Sequence, residues 1–104
     1  MPAVGILGLS SVSWGPNRLD VFVTGKDNHV RHNSWNGSNW QTTWGDLGQP
    51  AAGIGILGSS SVSWGANRLD VFVTGTDNHV RHNSWNGSTW QTTWDDLGQP
   101  YIAN

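Results

Sequence analysis

Residues 1–50 and residues 51–100 are two copies of one sequence, aligned in register without a gap. The copies differ at nine positions, which in the first copy are 1, 2, 3, 4, 9, 16, 26, 39 and 45. A repeat of this length is typical of propeller blades, solenoid units and similar arrays. Glycine and proline interrupt each copy too often for paired helices, and no segment carries apolar residues at helical spacing over three turns. The sequence therefore predicts an all-β unit at residues 1–50, a second at residues 51–100, and a short tail at residues 101–104.

Four short strands are predicted in each unit. In the first copy they lie at residues 10–14, 18–24, 29–35 and 40–44. The second of them alternates Leu19, Val21 and Val23 with other side chains, which is the period of two that a strand produces. Asn36 and Gly37 form the pair best suited to a type I′ hairpin turn, since both residue types tolerate positive φ. Four antiparallel strands in one such unit are typical of a propeller blade.

Eight tryptophans are the unusual feature of the composition. Propeller blades pack face to face, so both faces of each sheet need bulky apolar residues, and a large ring fills the gap between blades. We expect Trp40 and Trp44 to share one strand face, and Trp35 to contact Trp40 across the hairpin. Most of the tryptophans are therefore expected to belong to the packing between blades.

The order and spacing of several motifs in each copy resemble a known lectin repeat. The first copy contains SWGPNRLDVFVTG, DNHVRH, SWNGS and LGQP in that order. These motifs look like the blade repeat of the bacterial fucose-binding propeller lectins of the Photorhabdus lectin type, and the resemblance covers both copies. It implies a seven-bladed propeller whose sugars sit in shallow pockets between adjacent blades, against aromatic rings.

The chain departs from that family because it contains only two blades. Two blades cannot close a ring, and each would expose a broad apolar face to water. We therefore expect the chain to assemble with itself head to tail, which gives an even number of blades. A homotetramer with eight blades is favoured, because its blade spacing is closer to that of seven blades, and a homotrimer with six blades is the alternative. The predicted fold class is all-β, with two four-stranded antiparallel blades per chain that close into a β-propeller by oligomerisation.

Sugar binding is the leading functional hypothesis. Aromatic rings present flat faces to the C–H side of a pyranose, while Arg, Asn and His side chains fix its hydroxyl groups by hydrogen bonds. The candidate residues for a fucose-like sugar or glycan between blades are Trp35, Trp40, Arg31, His29 and Asn33, with Trp85, Trp90, Arg81, His79 and Asn83 in the second copy. The near-identity of the copies favours recent duplication, a consensus sequence or deliberate symmetric design. The alternative hypothesis is therefore an engineered propeller scaffold that binds no ligand.

The sequence gives no support to an enzyme, a metal site or a cofactor. It contains no nucleophile elbow and no phosphate-binding loop. His29 and His32 are three positions apart on a strand, so their side chains should point to opposite faces, where one metal ion could not bind both. Asp20 and Asp70 lie in mid-strand, and we interpret each as a structural carboxylate that accepts hydrogen bonds from a neighbouring loop. We therefore predict a non-enzyme without metal or cofactor.

Charge and composition limit the partners further. The formal net charge is -2, and the five Lys and Arg residues are spread singly, so no basic patch for nucleic acid is formed. The chain has no cysteine, which excludes a disulfide framework and a thiolate zinc site. Its first residues lack the cationic segment of a signal peptide and the apolar length of a membrane span. We expect neither a nucleic-acid nor a membrane partner, and a cytoplasmic or recombinant protein.

Overall fold

The computed structural model describes residues 4–100, so the predicted tail at residues 101–104 lies outside the described residues. The strands are β1 (Ile6–Val12), β2 (Leu19–Gly25), β3 (Val30–Trp35), β4 (Gly45–Asp46), β5 (Ile56–Val62), β6 (Leu69–Gly75), β7 (Val80–Trp85) and β8 (Asp95–Asp96). They form two antiparallel sheets, in the orders β1-β2-β3-β4 and β5-β6-β7-β8. The predicted all-β architecture of two four-stranded sheets is confirmed. Residues 4–100 contain no helix that is long and apolar enough to cross a membrane.

Each sheet has two faces, because successive side chains of a strand point in opposite directions. In the first sheet, β2 and β3 pair without interruption from Leu19 opposite Trp35 to Thr24 opposite Val30. The face that we call the Phe face carries Asp20, Phe22, Thr24, Val30 and His32. The opposite face, which we call the Val face, carries Leu19, Val21, Val23, Arg31 and Asn33. The same register in β6 and β7 gives the second sheet the same two faces.

The predicted fourth strand at residues 40–44 is wrong. Trp40 forms only an isolated bridge opposite Trp35. Regular pairing with β3 resumes at Gly45–Asp46, which is the actual β4. Trp40 and Trp44 therefore do not share a strand face through the period of two.

Polar side chains explain why the chain leaves the ladder after Trp40. The side-chain oxygen of Asn33 accepts a hydrogen bond from the Gln41 backbone nitrogen at 2.9 Å. The Gln41 side-chain nitrogen in turn donates to the Thr43 carbonyl at 3.2 Å. The Gln41 nitrogen also donates to the Ser34 carbonyl of β3 at 3.2 Å, so pairing persists as far as Gln41, and the side-chain hydrogen bond to Thr43 competes with the strand beyond it.

The first strand and the hairpin turn also differ from the prediction. The first strand begins at Ile6 and ends at Val12, rather than spanning residues 10–14. Gly37 adopts a φ of 99°, whereas Asn36 is not among the residues with positive φ, so the turn is not of type I′. Instead, the Asn36 side chain accepts hydrogen bonds from the backbone nitrogens of Ser38 and Asn39, at 2.9 and 2.8 Å. An Asn side chain that mimics a backbone turn in this way closes a longer loop.

The two sheets pack with the Phe face of the first against the Val face of the second. The buried apolar cluster between them contains Phe22, Val30, Ile56, Leu69, Val71 and Val73. At the inner strands, the Ser59 hydroxyl lies 3.3 Å from the Ser10 hydroxyl. At the outer strands, Trp94 Nε1 donates to the Leu47 carbonyl at 3.1 Å. One continuous junction thus joins the two repeats from β1 and β5 outward.

The other two faces of the pair of sheets have no covering layer within residues 4–100. Leu69 is 1% exposed in the junction, whereas its counterpart Leu19, on the Val face of the first sheet, is 47% exposed. Ile56 is 3% exposed and its counterpart Ile6 is 68% exposed. On the opposite side of the pair, Trp64 beside the Phe face of the second sheet is 75% exposed. The chain therefore has the two open apolar faces that two blades without a ring were expected to have.

Candidate functional site

The candidate sugar-binding residues lie at opposite ends of each sheet. His29 precedes β3 and Trp35 ends it, so six residues of extended chain, about 20 Å, separate them. Arg31 lies near His29, and Trp40 pairs with Trp35. We call the end of the sheet that carries His29 and Arg31 the polar end, and the end that carries Trp35 and Trp40 the tryptophan end. One small sugar cannot contact both ends, so the structure does not bring the predicted set into a single site.

The polar end is an ionic cluster whose charged groups bind one another. Two Arg31 nitrogens donate to the two Asp27 carboxylate oxygens, at 3.1 and 2.6 Å. These hydrogen bonds lower the pKa of Asp27 to about 2. His29 Nδ1 lies 2.9 Å from the Asp46 carboxylate. The second repeat forms the same cluster, in which the pKa of Asp77 is also lowered to about 2. These side chains are thus largely engaged within the protein.

The tryptophan end carries a pair of indole rings in each repeat. The ring centres of Trp35 and Trp40 are 5.8 Å apart, and those of Trp85 and Trp90 are also 5.8 Å apart. The predicted contact across the hairpin is therefore confirmed in both copies. Trp40 is 46% exposed on the uncovered Val face. Trp90 instead packs edge-on against Phe22 in the junction, with ring centres 5.6 Å apart.

Asn33 and Asn83, which were predicted to contact a ligand, are buried and bonded to the backbone. The Asn33 oxygen accepts hydrogen bonds from the Ser34 and Gln41 nitrogens, at 2.7 and 2.9 Å. Its nitrogen donates to the Gln41 carbonyl at 3.4 Å. Asn83 makes the equivalent bonds in the second repeat. Their geometry fits a structural role in holding the loop that carries the second tryptophan of the pair.

Sequence reasoning missed a polar network beside the tryptophan end of the first sheet. The Arg18 guanidinium carbon lies 5.4 Å from the centre of the Trp14 ring. Arg18 donates two hydrogen bonds to Asp20, at 3.2 and 3.1 Å, and His32 Nε2 lies 2.7 Å from the same carboxylate. The His32 ring lies 5.5 Å from the Trp90 ring of the second sheet. The network thus runs from one sheet across the junction to the other.

This network agrees in part with the interpretation of Asp20 and Asp70. Arg18 and Arg68 donate to them from the loops just before β2 and β6, whereas His32 and His82 bind them from the neighbouring strand. In the second repeat, burial opposes ionisation of Asp70, but hydrogen bonds from Arg68 and His82 outweigh it and lower the Asp70 pKa. Arg18 and Asp20 are two residues apart, the spacing that places side chains on one side of a strand. That spacing could have indicated the contact between Arg18 and Asp20 from the sequence. The contact of His32 with Asp20 depends on the register between β2 and β3 and could not.

His29 and His32 lie on opposite faces, as predicted. His29 faces Asp46, whereas His32 binds Asp20. Among residues 4–100, no group of three or more His, Cys, Asp or Glu side chains is arranged to hold a metal ion.

Shallow cavities mark the uncovered faces. On the Phe face of the second sheet, a cavity of about 440 Å³ is lined by Leu57, Thr74, Val80 and Pro100. On the Val face of the first sheet, a cavity of about 350 Å³ is lined by Ile6, Val23, Arg31 and Trp44. The first cavity lies on a Phe face, and in the first sheet the Phe face is covered by the second repeat. The second cavity lies on a Val face, and in the second sheet the Val face is covered by the first repeat.

Several solved lectin structures share this arrangement, although no known family profile and no curated protein sequence matches the chain. The fucose-specific lectin from Aleuria aurantia superposes with a TM-score of 0.67 at 22% identity, over 94% of this chain and 29% of its own. A mutant of Aleuria aurantia lectin in complex with α-methyl-L-fucoside gives 0.67 at 21% identity, with the same coverage. A further structure of Aleuria aurantia lectin, described as a six-bladed β-propeller, gives 0.64 at 21% identity, again over 94% and 29% of the two chains.

The two sheets have the fold of propeller blades. At 20–22% identity the likeness establishes the fold alone, and the chain spans less than a third of these lectins. The matched structures come from a fungal lectin, so the bacterial Photorhabdus type stays a prediction from the motifs. These neighbours are described as lectins, and the absence of catalysis in this chain stays a prediction from the sequence.

Proposed function

We propose that the protein binds a small neutral sugar of the fucose type between neighbouring sheets, at their tryptophan ends. The observation that carries the proposal is the fold shared with lectins described as fucose-specific or as bound to a fucoside. In the junction inside the chain, Trp14 and Arg18 come from the first sheet. Trp85 and Trp90 come from the second sheet and lie at the same end of the junction. Flat rings and a fixed guanidinium suit the C–H face and the hydroxyl groups of a pyranose.

The proposal retains only part of the set of residues predicted from the sequence. The four tryptophans Trp35, Trp40, Trp85 and Trp90 are assigned to sugar contact. The polar-end residues His29, Arg31, His79 and Arg81 lie too far from the tryptophans and are assigned to the ionic clusters of each repeat. Asn33 and Asn83 are assigned to loop support.

The proposal includes assembly of the chain with itself. The uncovered Val face of the first sheet and the uncovered Phe face of the second are the same two surfaces that pack together inside the chain. Ile6 and Leu19 of one copy would therefore take the places that Ile56 and Leu69 occupy in the internal junction. Because these two surfaces differ, the contact is head to tail, and repetition closes a ring or continues as a filament.

Six blades, and thus three copies, agree better with the neighbours than the eight blades favoured from the sequence. The pair of sheets superposes on part of a lectin described as six-bladed. Two blades are one third of such a ring, which is close to the matched 29% of the lectin chain. Light scattering coupled to size exclusion tests this number: a mass of three 11.3 kDa chains supports it, four chains support the eight-bladed ring, and a monomer would contradict assembly.

Calorimetry with α-methyl-L-fucoside tests sugar binding. The assembled ring should bind two fucosides per chain, one in the internal junction and one between copies. Trp40→Phe should remove or weaken the site between copies, so that about one site per chain remains. Trp44→Phe is the matched control, because Trp44 is 47% exposed, like Trp40 at 46%, but lines the cavity near the polar end.

A ring of normal mass that binds no fucoside at millimolar concentration would refute the lectin proposal and favour the scaffold alternative. An equal loss of binding in Trp40→Phe and Trp44→Phe, with both rings intact, would refute the placement of the sugar at the tryptophan end.

A further inference from the structure

Gly45 of the first repeat corresponds to Asp95 of the second repeat. The second sheet therefore carries a carboxylate at a position where the first sheet has none. Asp95 accepts hydrogen bonds from His82 Nδ1 at 3.0 Å and from Gln91 Nε2 at 3.2 Å. Gly45 pairs with His32 in the same register in which Asp95 pairs with His82. A Cβ placed on Gly45 would meet only the His32 carbonyl, at 3.7 Å. The first sheet therefore has room for a side chain at the start of the path that the Asp95 side chain takes in the second sheet.

Both donors are held in the first sheet as they are in the second. His32 Nε2 lies 2.7 Å from Asp20, and His82 Nε2 lies 2.7 Å from the equivalent carboxylate. The Gln41 amide oxygen accepts a 2.7 Å hydrogen bond from the serine hydroxyl of the paired strand, and so does the Gln91 amide oxygen. The two donor groups thus keep their orientation although the acceptor is missing.

The His32 nitrogen that faces this space has no partner within the described chain. The His32 side chain is only 10% exposed. Its Nδ1 forms no hydrogen bond within residues 4–100, whereas Nδ1 of His82 binds Asp95. Nδ1 is therefore open to a ligand, and a carboxylate placed there would accept a charge-assisted hydrogen bond from it.

Charge also favours an anion at this position. In the first repeat a single carboxylate, that of Asp20, lies between two basic side chains, Arg18 and His32. In the second repeat Asp95 adds a second carboxylate beside His82, and the hydrogen bond from His82 lowers the pKa of Asp95. A carboxylate ligand would restore the balance that the second repeat contains.

We propose that the space beside Gly45 binds the carboxylate group of a small acidic sugar, such as a uronic acid. A protonated His32 donates Nε2–H to Asp20 and Nδ1–H to the ligand, and the second N–H of Gln41 Nε2 donates to the same group. Trp90, whose ring lies 5.5 Å from the His32 ring, is near enough to flank the pyranose. This site shares Trp90 with the proposed fucose site, but its carboxylate donors, His32 and Gln41, are not part of that site.

The site can be tested by NMR of the histidine side-chain nitrogens during titration with sodium acetate, at about pH 6 and constant ionic strength. His32 should show a saturable shift, while His82 should not, because both of its ring nitrogens already contact carboxylates, those of Asp95 and Asp70. Gly45→Asp, which copies the second repeat, should reduce the His32 response at least tenfold.

The reverse variant and two sugars complete the test. Asp95→Gly should make a second histidine, His82, respond to acetate. Methyl β-glucuronide should shift His32, and methyl β-glucoside, which lacks the carboxylate, should not. No His32 shift up to about 100 mM acetate, or an unchanged shift in Gly45→Asp, would overturn the site. A shift with acetate but none with the glucuronide would overturn its assignment to an acidic sugar, and an equal shift with the glucoside would overturn carboxylate recognition.

Discussion

Ile6→Ala should weaken assembly of the chain without unfolding it. Ile6 is 68% exposed in the single chain, whereas its counterpart Ile56 in the internal junction is 3% exposed. If copies dock as the repeats do, Ile6 becomes buried only when a second copy covers the Val face of the first sheet. The free energy lost on substitution should therefore fall on association rather than on folding.

The magnitude follows from the exposed fraction of the side chain. Full burial of an isoleucine side chain contributes about 1.5–3 kcal/mol. Docking would bury about two thirds of the Ile6 side chain, which corresponds to about 1–2 kcal/mol for each junction between copies. Since about 1.4 kcal/mol is a factor of ten, each junction should weaken about 5-fold to 30-fold. A cavity left by incomplete repacking would increase this loss.

The assay is sedimentation velocity over a range of protein concentrations, with Leu7→Ala as the matched control. Leu7 is the neighbouring residue and is 50% exposed, but its counterpart Leu57 lines the cavity on the Phe face. Leu7 therefore lies on the side of the first sheet that the chain already covers, and assembly should not change its exposure. Ile6→Ala should shift the concentration at which rings dissociate, while Leu7→Ala should not. An unchanged midpoint for Ile6→Ala, or equal shifts for both variants, would refute docking through the Val face.

Two further predictions concern acid and the core. The pKa of Asp27 is lowered from 3.8 to about 2 by Arg31, so this pair stabilises the fold above about pH 4 and the contribution is lost as pH falls toward 2. The Tm should therefore drop over this range, and less steeply in Asp27→Asn; an identical slope in the variant would contradict the assignment. Phe22→Ala should cost about 3–5 kcal/mol in urea unfolding at any protein concentration, because Phe22 is fully buried inside the chain. Phe72→Ala, on the uncovered Phe face, should cost less in dilute solution and more once copies assemble, and a cost independent of concentration would argue against assembly through this face.

Local pattern was sufficient to predict the centres of the strands. The alternation from Leu19 onward places apolar residues on one face regardless of the remainder of the fold, and β2 follows it. The contact between Trp35 and Trp40 was also predictable, because a hairpin places its two sides within reach. These features depend on residues close together in the chain.

The outer strand was not predictable in this way. Residues 40–44 are aromatic and β-branched, which favours a strand on propensity alone. The side chains of Asn33 and Gln41 instead hydrogen-bond the backbone there, and pairing with β3 resumes at a glycine and an aspartate of low strand propensity. Whether the side-chain hydrogen bonds or the backbone hydrogen bonds of a strand form here depends on how closely the two segments approach each other. That distance is set by the tertiary structure and not by the local sequence.

The candidate site was only partly predictable for a related reason. Residues on one strand, such as His29 and Trp35, were grouped because they share a face, but a shared face does not bring its two ends together. The network of Arg18, Asp20 and His32 depends on strand register, and its contact with Trp90 depends on packing between sheets. A site formed across a junction cannot be read from either repeat alone.

The positions at which the two repeats carry different residues make the junction inside the chain different from a junction between two copies of the chain. Inside the chain, the hydroxyls of Ser10 and Ser59 lie 3.3 Å apart. Between copies, Leu9 would stand in place of Ser59, so an apolar contact would replace this hydrogen bond at the inner strands. Asp95 would lie only in the junction between copies, whereas Gly45 lies in the internal one.

Closed rings of any size should therefore contain two kinds of junction in alternation. Both kinds keep the paired tryptophans, so fucoside binding should reach two sites per chain. Only the internal kind has Gly45 beside its histidine, so acetate binding should stop at one site per chain. The two stoichiometries distinguish the proposals within one protein: loss of fucoside binding would leave the acetate site intact, and loss of the acetate site in Gly45→Asp would leave the two fucoside sites unchanged.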